Sequence, residues 1–198
     1  MRQVMAFVVS LCACAFASPA FAQTSDGGFD RELSTSMAAS AKAMQATIRR
    51  DLADAAEAMP AEDYSYKPHP DSRTFAALVG HVASANYLFC TTAKGAPLSA
   101  MPPGTPMFER LTDKAELVKA LNDSLAYCDA VYDSTTDANF ADPVTTPALG
   151  PMKPTPTLRG LVLMFNTTHN NEHYGNIVVY MRAKGHVPPS TARVQTQK

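Results

Sequence analysis

Apolar positions recur at three- and four-residue steps in four separate stretches of this chain, the spacing of helices with one buried face. From Arg31 to Met59 the chain is rich in Ala, Met, Leu and Glu and free of Pro and Gly, which predicts a long helix closed by Pro60. The proline-bounded run from Glu62 to Pro70 cannot continue it. A second helix is predicted from Asp71-Ser72, either of which caps free N–H groups, to about Ala93, with Gly95 as its stop. The connection from Lys94 to Leu111 carries four prolines and two glycines. Thr112-Asp113 then opens a third helix, with Leu117, Leu121, Leu125 and Cys128 on one stripe, which fades near Asp133. A second proline-rich connection reaches Pro154. Thr155-Pro156 predicts the start of a fourth helix, with Pro at the first helical position, and Gly185 with Pro188-Pro189 predicts its end. No stretch alternates with period two for long enough to argue a sheet.

Four such helices predict an all-α four-helix bundle. The connection between the second and third is about 18 residues, long for a tight hairpin between antiparallel neighbours. It is long enough to carry the chain back along the bundle and leave these two helices parallel. Cys90 and Cys128 would then both lie near C-terminal helix ends, within reach of a disulfide, whereas antiparallel helices would hold them too far apart. Two buried free thiols are the alternative.

The N-terminus stands apart from this pattern. Arg2 precedes an apolar run from Val4 to Ala17, Ser18-Pro19 breaks it, and Ala20-Phe21-Ala22 supplies a small-x-small cleavage pattern. That layout is a secretory signal over residues 1–22, and the run is too short to span a bilayer. A lipoprotein anchor at Leu11-Cys12-Ala13-Cys14 fits less well. The mature chain is therefore expected to start near Gln23, outside the cytoplasm, with a loose leader at 23–30, the bundle at 31–189 and a C-terminal tail at 190–198. Its Cys12 and Cys14 leave with the signal, so Cys90 and Cys128 are the pair available to an oxidising compartment. Formal charge is -1 for the whole chain and becomes -2 without Arg2, with no basic block. Electrostatic binding to nucleic acid or to an anionic membrane is not expected.

Candidate chemistry concentrates on histidine. In Thr168-His169-Asn170-Asn171-Glu172-His173, the two histidines are four residues apart and share one helix face. They also belong to the stripe Val162, Phe165, His169, His173, Ile177 and Tyr180, which a bundle buries. Two uncompensated imidazoles there cost desolvation energy, and a shared cation satisfies both. In the second helix His81 lies on the stripe of Leu78, Ala85 and Leu88, again facing inward. The competing account is three core histidines bonded to backbone. His69 and His186 read as loop residues. Glu172 adjoins His173 but points about 100° away from it around the helix, which leaves it on the solvent side. Asn86 and Tyr87 read as packing residues.

The chain resembles the DinB-like (DinB/YfiT) metalloenzyme family. The resemblance rests on Thr74-Phe75-Ala76-Ala77-Leu78-Val79-Gly80-His81, and on His169-x-x-x-His173-Tyr174-Gly175-Asn176 leading through Tyr180-Met181-Arg182 to Gly185 and Pro188-Pro189. It departs at Gly175-Asn176, where the family often carries Gly-Gln, and in its export. The resemblance implies an up-down-down-up bundle and assigns His81, His169 and His173 as ligands of one divalent metal. Three imidazoles leave a coordination position open. Such a site suits zinc or nickel foremost, and iron or copper as well. The family further implies thiol-dependent transferase or metal-assisted hydrolase chemistry on a small-molecule substrate, and a homodimer. A metal-binding bundle for structure or sensing, without catalysis, is the competing function.

Overall fold

The computed structural model describes residues 35–148 and 153–196. The expected signal at 1–22 and leader at 23–30 lie outside them. Six helices occur in these segments: α1 (Met37–Ala58), α2 (Phe75–Ala93), α3 (Lys114–Ser134), the short α4 (Asp137–Phe140), α5 (Arg159–Ala183) and α6 (Pro189–Thr196). Two strands, β1 (Pro143–Thr146) and β2 (Thr155–Leu158), pair antiparallel.

The long helices α1, α2, α3 and α5 form the bundle, and side-chain contacts give their directions. At one end Lys42 of α1 pairs with Asp133 of α3, and at the other Lys114 donates to the carbonyl of Met59, so α1 and α3 are antiparallel. Thr167, early in α5, bonds Gln45, early in α1, and Lys184 beyond α5 pairs with Asp63 beyond α1, so these two are parallel. Tyr180 near the end of α5 donates to the carbonyl of Arg73 just before α2, so that pair is antiparallel. The course is up-down-down-up, with α2 and α3 parallel as their long connection allows. Cys90 and Cys128 consequently meet at disulfide distance, their Cα atoms 5.4 Å apart.

Local rules explain most boundaries. Thr74 caps α2 by accepting from the Ala77 N–H, and Asp113 caps α3 by accepting from the Glu116 N–H. The cap of α2 is thus Thr74 rather than Asp71 or Ser72. The α1 cap is Ser36, whose Oγ accepts from the Ala39 N–H. Asp137 of α4 adds a second acceptor there, at 2.8 Å from the Ala38 N–H. The chain from Leu52 and Met59 through Phe75, Leu117, Leu121 and Leu125 to Ile177 and Met181 forms the main core, every one of them almost wholly buried.

Three differences from the sequence expectations have physical causes. Thr155-Pro156 does not open a helix: both residues lie in β2, and α5 begins at Arg159. Four-residue strands are too short to register as a periodic signal. Phe165, expected inside on the α5 stripe, is 56% exposed, and the buried positions beside it are Asn166 and Thr167. Residues beyond Pro189 form α6 rather than a plain tail, held by Arg193 on Asp51 and Asp54 of α1 and by Tyr174 donating to Ser190.

Candidate metal centre

Three imidazoles converge where α2 faces α5. The His169 Nε2 lies 3.2 Å from the His81 Nε2 and 3.0 Å from the His173 Nε2, and one ring nitrogen from each histidine falls within 4.8 Å of the other two. Two nitrogens held tetrahedrally by one zinc at about 2.05 Å lie about 3.3 Å apart. The two shorter separations match that requirement closely. His169 and His173 are placed by their four-residue spacing on α5. His81 is placed by the antiparallel crossing of α2, which a buried amide pair secures: Asn170 Nδ2 donates to Asn86 Oδ1 over 2.9 Å, and Asn86 donates in turn to Ser124. Asn86 is accordingly a packing residue, and so is the buried Tyr87, whose ring packs on Phe108 and Tyr127.

The outer side of His81 carries a partner that the sequence reading did not name. Its Nδ1 lies 2.7 Å from Glu109 Oε1, while Arg73 Nε donates to Glu109 Oε2 over 3.3 Å. Carboxylate–histidine pairs of this kind hold the Nδ1 proton and aim the Nε2 lone pair inward. Burial opposes ionisation of Glu109, but the His81 hydrogen bond and the Arg73 charge outweigh it and keep its carboxyl below the usual range. Glu109 arrives on the 3₁₀ segment Thr105–Arg110, which lies directly against α2. Gly80 permits that approach: a Cβ there would stand 2.2 Å from the Phe108 carbonyl oxygen. Ser84 fastens the same segment by donating to the Thr105 carbonyl. The available sequence signal was Gly80 beside His81, but nothing local tied it to a residue 28 positions on.

The residues fit a cation. Burial, then the neighbouring His173 and His81, pushes His169 down to about 4, and burial with the nearby His81 lowers His173. Both are therefore neutral near pH 7, the form that ligates metal. With His81 Nδ1 engaged by Glu109, the three Nε2 atoms crowd together, and one ion satisfies their lone pairs at once. The centre is reachable, since the His81 side chain keeps 23% of its surface exposed.

Other sequence candidates lie elsewhere. His69 is in an exposed loop, where its Nδ1 accepts from the Asp71 N–H. His186 bonds Asp63 at 2.7 Å, near the end of the bundle where α5 finishes. Glu172 is exposed. Gly175 and Asn176 are exposed as well, and a Cβ on Gly175 would meet nothing within 4 Å.

A helical bundle with this course is consistent with the fold of DinB-like proteins. The sequence profile of the DinB superfamily matches residues 43–177, and the chain belongs to that family. Among solved structures, it is similar to a DinB-like protein from Bacillus subtilis, at 23% identity and a TM-score of 0.56, covering 75% of this chain and 93% of that one. It is also similar to a DinB-like protein from Bacillus cereus, at 15% identity and a TM-score of 0.55, covering 72% and 89% respectively. A comparison with curated proteins finds no significant match.

Proposed function

We propose that this protein is an exported enzyme whose divalent metal is held by His81, His169 and His173, and that it acts on a small molecule. The convergence of three Nε2 atoms at a partly exposed crossing, with Glu109 behind one of them, carries this reading. A bound ion would supply Lewis-acid chemistry, lowering the pKa of a coordinated water or thiol, or polarising a carbonyl. The protein's own residues do the positioning. His169 and His173 present neutral nitrogens from one rigid helix. Glu109 retains the His81 Nδ1 proton, and Arg73 keeps that carboxylate charged and oriented. Three protein ligands leave a position for water or substrate. Zinc and nickel are the first candidates, with iron and copper suited to the same donors. The chemistry is thiol-dependent group transfer or hydrolysis. Cys90 and Cys128 at disulfide distance favour an oxidising compartment, which agrees with the signal-like residues 1–22.

The decisive experiment is elemental analysis of the mature chain beside the His169→Ala/His173→Ala double variant. It is followed by turnover assays on electrophiles with a low-molecular-weight thiol and on small esters. About one transition metal per chain, lost in the variant together with activity, is expected. No metal after reconstitution with zinc and nickel would overturn the proposal.

One observation favours a second reading. The carboxylate nearest the histidines, Glu109, is already engaged by His81 and Arg73 and is not free to act as a base. A non-catalytic bundle that binds metal for stability or sensing would show a large loss of thermal stability on chelation and no metal-dependent turnover.

A further inference from the structure

A cavity of about 600 Å³ opens between α2, the first half of α5 and the β hairpin, separate from the histidine cluster. Its apolar wall includes Leu88, Phe89, Leu161, Val162 and Phe165. Leu158 at the end of β2 and Leu161, Met164 and Phe165 on α5 are all substantially exposed within eight residues, and Leu161 and Phe165 line the cavity itself. Exposed apolar residues gathered around a concavity of this size mark a binding site rather than scattered surface.

The polar lining narrows the ligand. Thr92 donates to the Leu88 carbonyl, Thr146 to the Thr155 carbonyl and Thr155 to the Lys153 carbonyl, so these hydroxyl protons are spent on the main chain. Thr157 and the exposed Lys153 remain, and Lys153 has no acidic partner among the described residues. No Asp or Glu is among the described residues that line the cavity. An apolar chamber with one unneutralised ammonium at its edge complements a molecule with an apolar body and a negative group.

The cavity also adjoins the metal centre. Phe89 in its wall packs edge-to-face on both Phe165 and His169, with ring centroids 5.2 and 5.3 Å apart. A ligand seated there lies one aromatic ring from a metal-binding imidazole. We propose that this cavity binds the apolar body of a small amphipathic carboxylate, with Lys153 facing its charge. The proposal deepens the metal-enzyme reading by naming its substrate class, and it rests on that reading for its catalytic meaning.

The test is calorimetric titration of the mature chain with decanoate, decanol and decyltrimethylammonium, once after chelation and once after zinc loading. Saturable 1:1 binding of decanoate is expected in both states, severalfold tighter than decanol and at least tenfold tighter than the cation. Lys153→Glu should reverse the preference between carboxylate and cation, and Leu161→Glu should weaken decanol about tenfold. Both positions are exposed, so both variants should fold. Because the chain has no Trp, Phe165→Trp offers a second readout, in which decanoate shifts the single indole emission to the blue. Absence of saturable binding, or an unchanged preference in Lys153→Glu, overturns the proposal. Binding only after zinc loading also overturns it, because the carboxylate then sits on the ion. Titration of the chelated protein keeps this result independent of whether the metal is catalytic.

Discussion

The Nδ1 of His81 lies 2.7 Å from Glu109 Oε1, joining a helix residue to one on a proline-rich connection 28 positions later. That bond fixes which nitrogen of His81 faces His169. Glu109→Gln keeps the shape but leaves a neutral amide in place of the charged acceptor. Metal affinity should fall about 10- to 100-fold, with little change in thermal stability of the metal-free protein, since Glu109 is partly exposed. Competition against a chromophoric chelator measures the affinity. An unchanged value would show that Glu109 has no part in holding the ion.

Gly80 and Gly175 should respond oppositely to the same substitution. A Cβ at Gly80 meets the Phe108 carbonyl oxygen at 2.2 Å, so Gly80→Ala must displace the 105–110 segment, with an expected cost of about 1–3 kcal/mol. Because that segment carries Glu109, metal affinity should fall with it. At Gly175 a Cβ meets nothing, so Gly175→Ala should stabilise α5 by about 0.5–1 kcal/mol through helix propensity. Urea unfolding of the two variants decides the matter.

A bond between Cys90 and Cys128, which stand at disulfide distance, would close a loop with a sequence separation of 38 residues. Loop-closure entropy places its contribution at about 4 kcal/mol, an upper figure because engineered and natural bridges often deliver less. A Cys90→Ala/Cys128→Ala variant, or reduction of the native chain, should lower the urea midpoint accordingly. A midpoint unmoved by reductant would mean that the two thiols are not bonded in the isolated protein.

Acid should weaken the metal-free protein through its buried histidines. His169 falls from its ordinary 6.5 to about 4 in the folded chain, with burial the largest cause, and His173 shifts in the same direction. Between those values the unfolded chain binds protons that the folded chain refuses, so stability rises with pH. The contribution is complete above about 6.5 and is lost as pH falls toward 4. Urea midpoints of chelated wild type from pH 7.5 to pH 4 should decline more steeply than those of the His169→Ala/His173→Ala variant. Parallel profiles would contradict the neutral cluster.

What was legible in the sequence was what repeats over short distances. Helical spacing exposed the four long helices, and the four-residue step brought His169 and His173 to one face. A connection of about 18 residues made parallel α2 and α3 affordable in chain length, which brought Cys90 opposite Cys128. The stripe of Leu78, Ala85 and Leu88 turned His81 inward as a third candidate, and the family resemblance grouped it with the other two histidines. Tertiary structure decided the rest. Thr155-Pro156 reads locally as a helix start, yet strand pairing with Thr145-Thr146 holds it extended. Phe165 sits on the α5 apolar stripe, yet the bundle turns Asn166 and Thr167 inward and leaves Phe165 at the cavity edge. Partner choice is the common reason: periodicity states which residues share a face, and only the packed neighbours determine which face is covered. Glu109 follows the same logic, because its role depends on a backbone passing over Gly80, a contact between distant segments that no local pattern encodes.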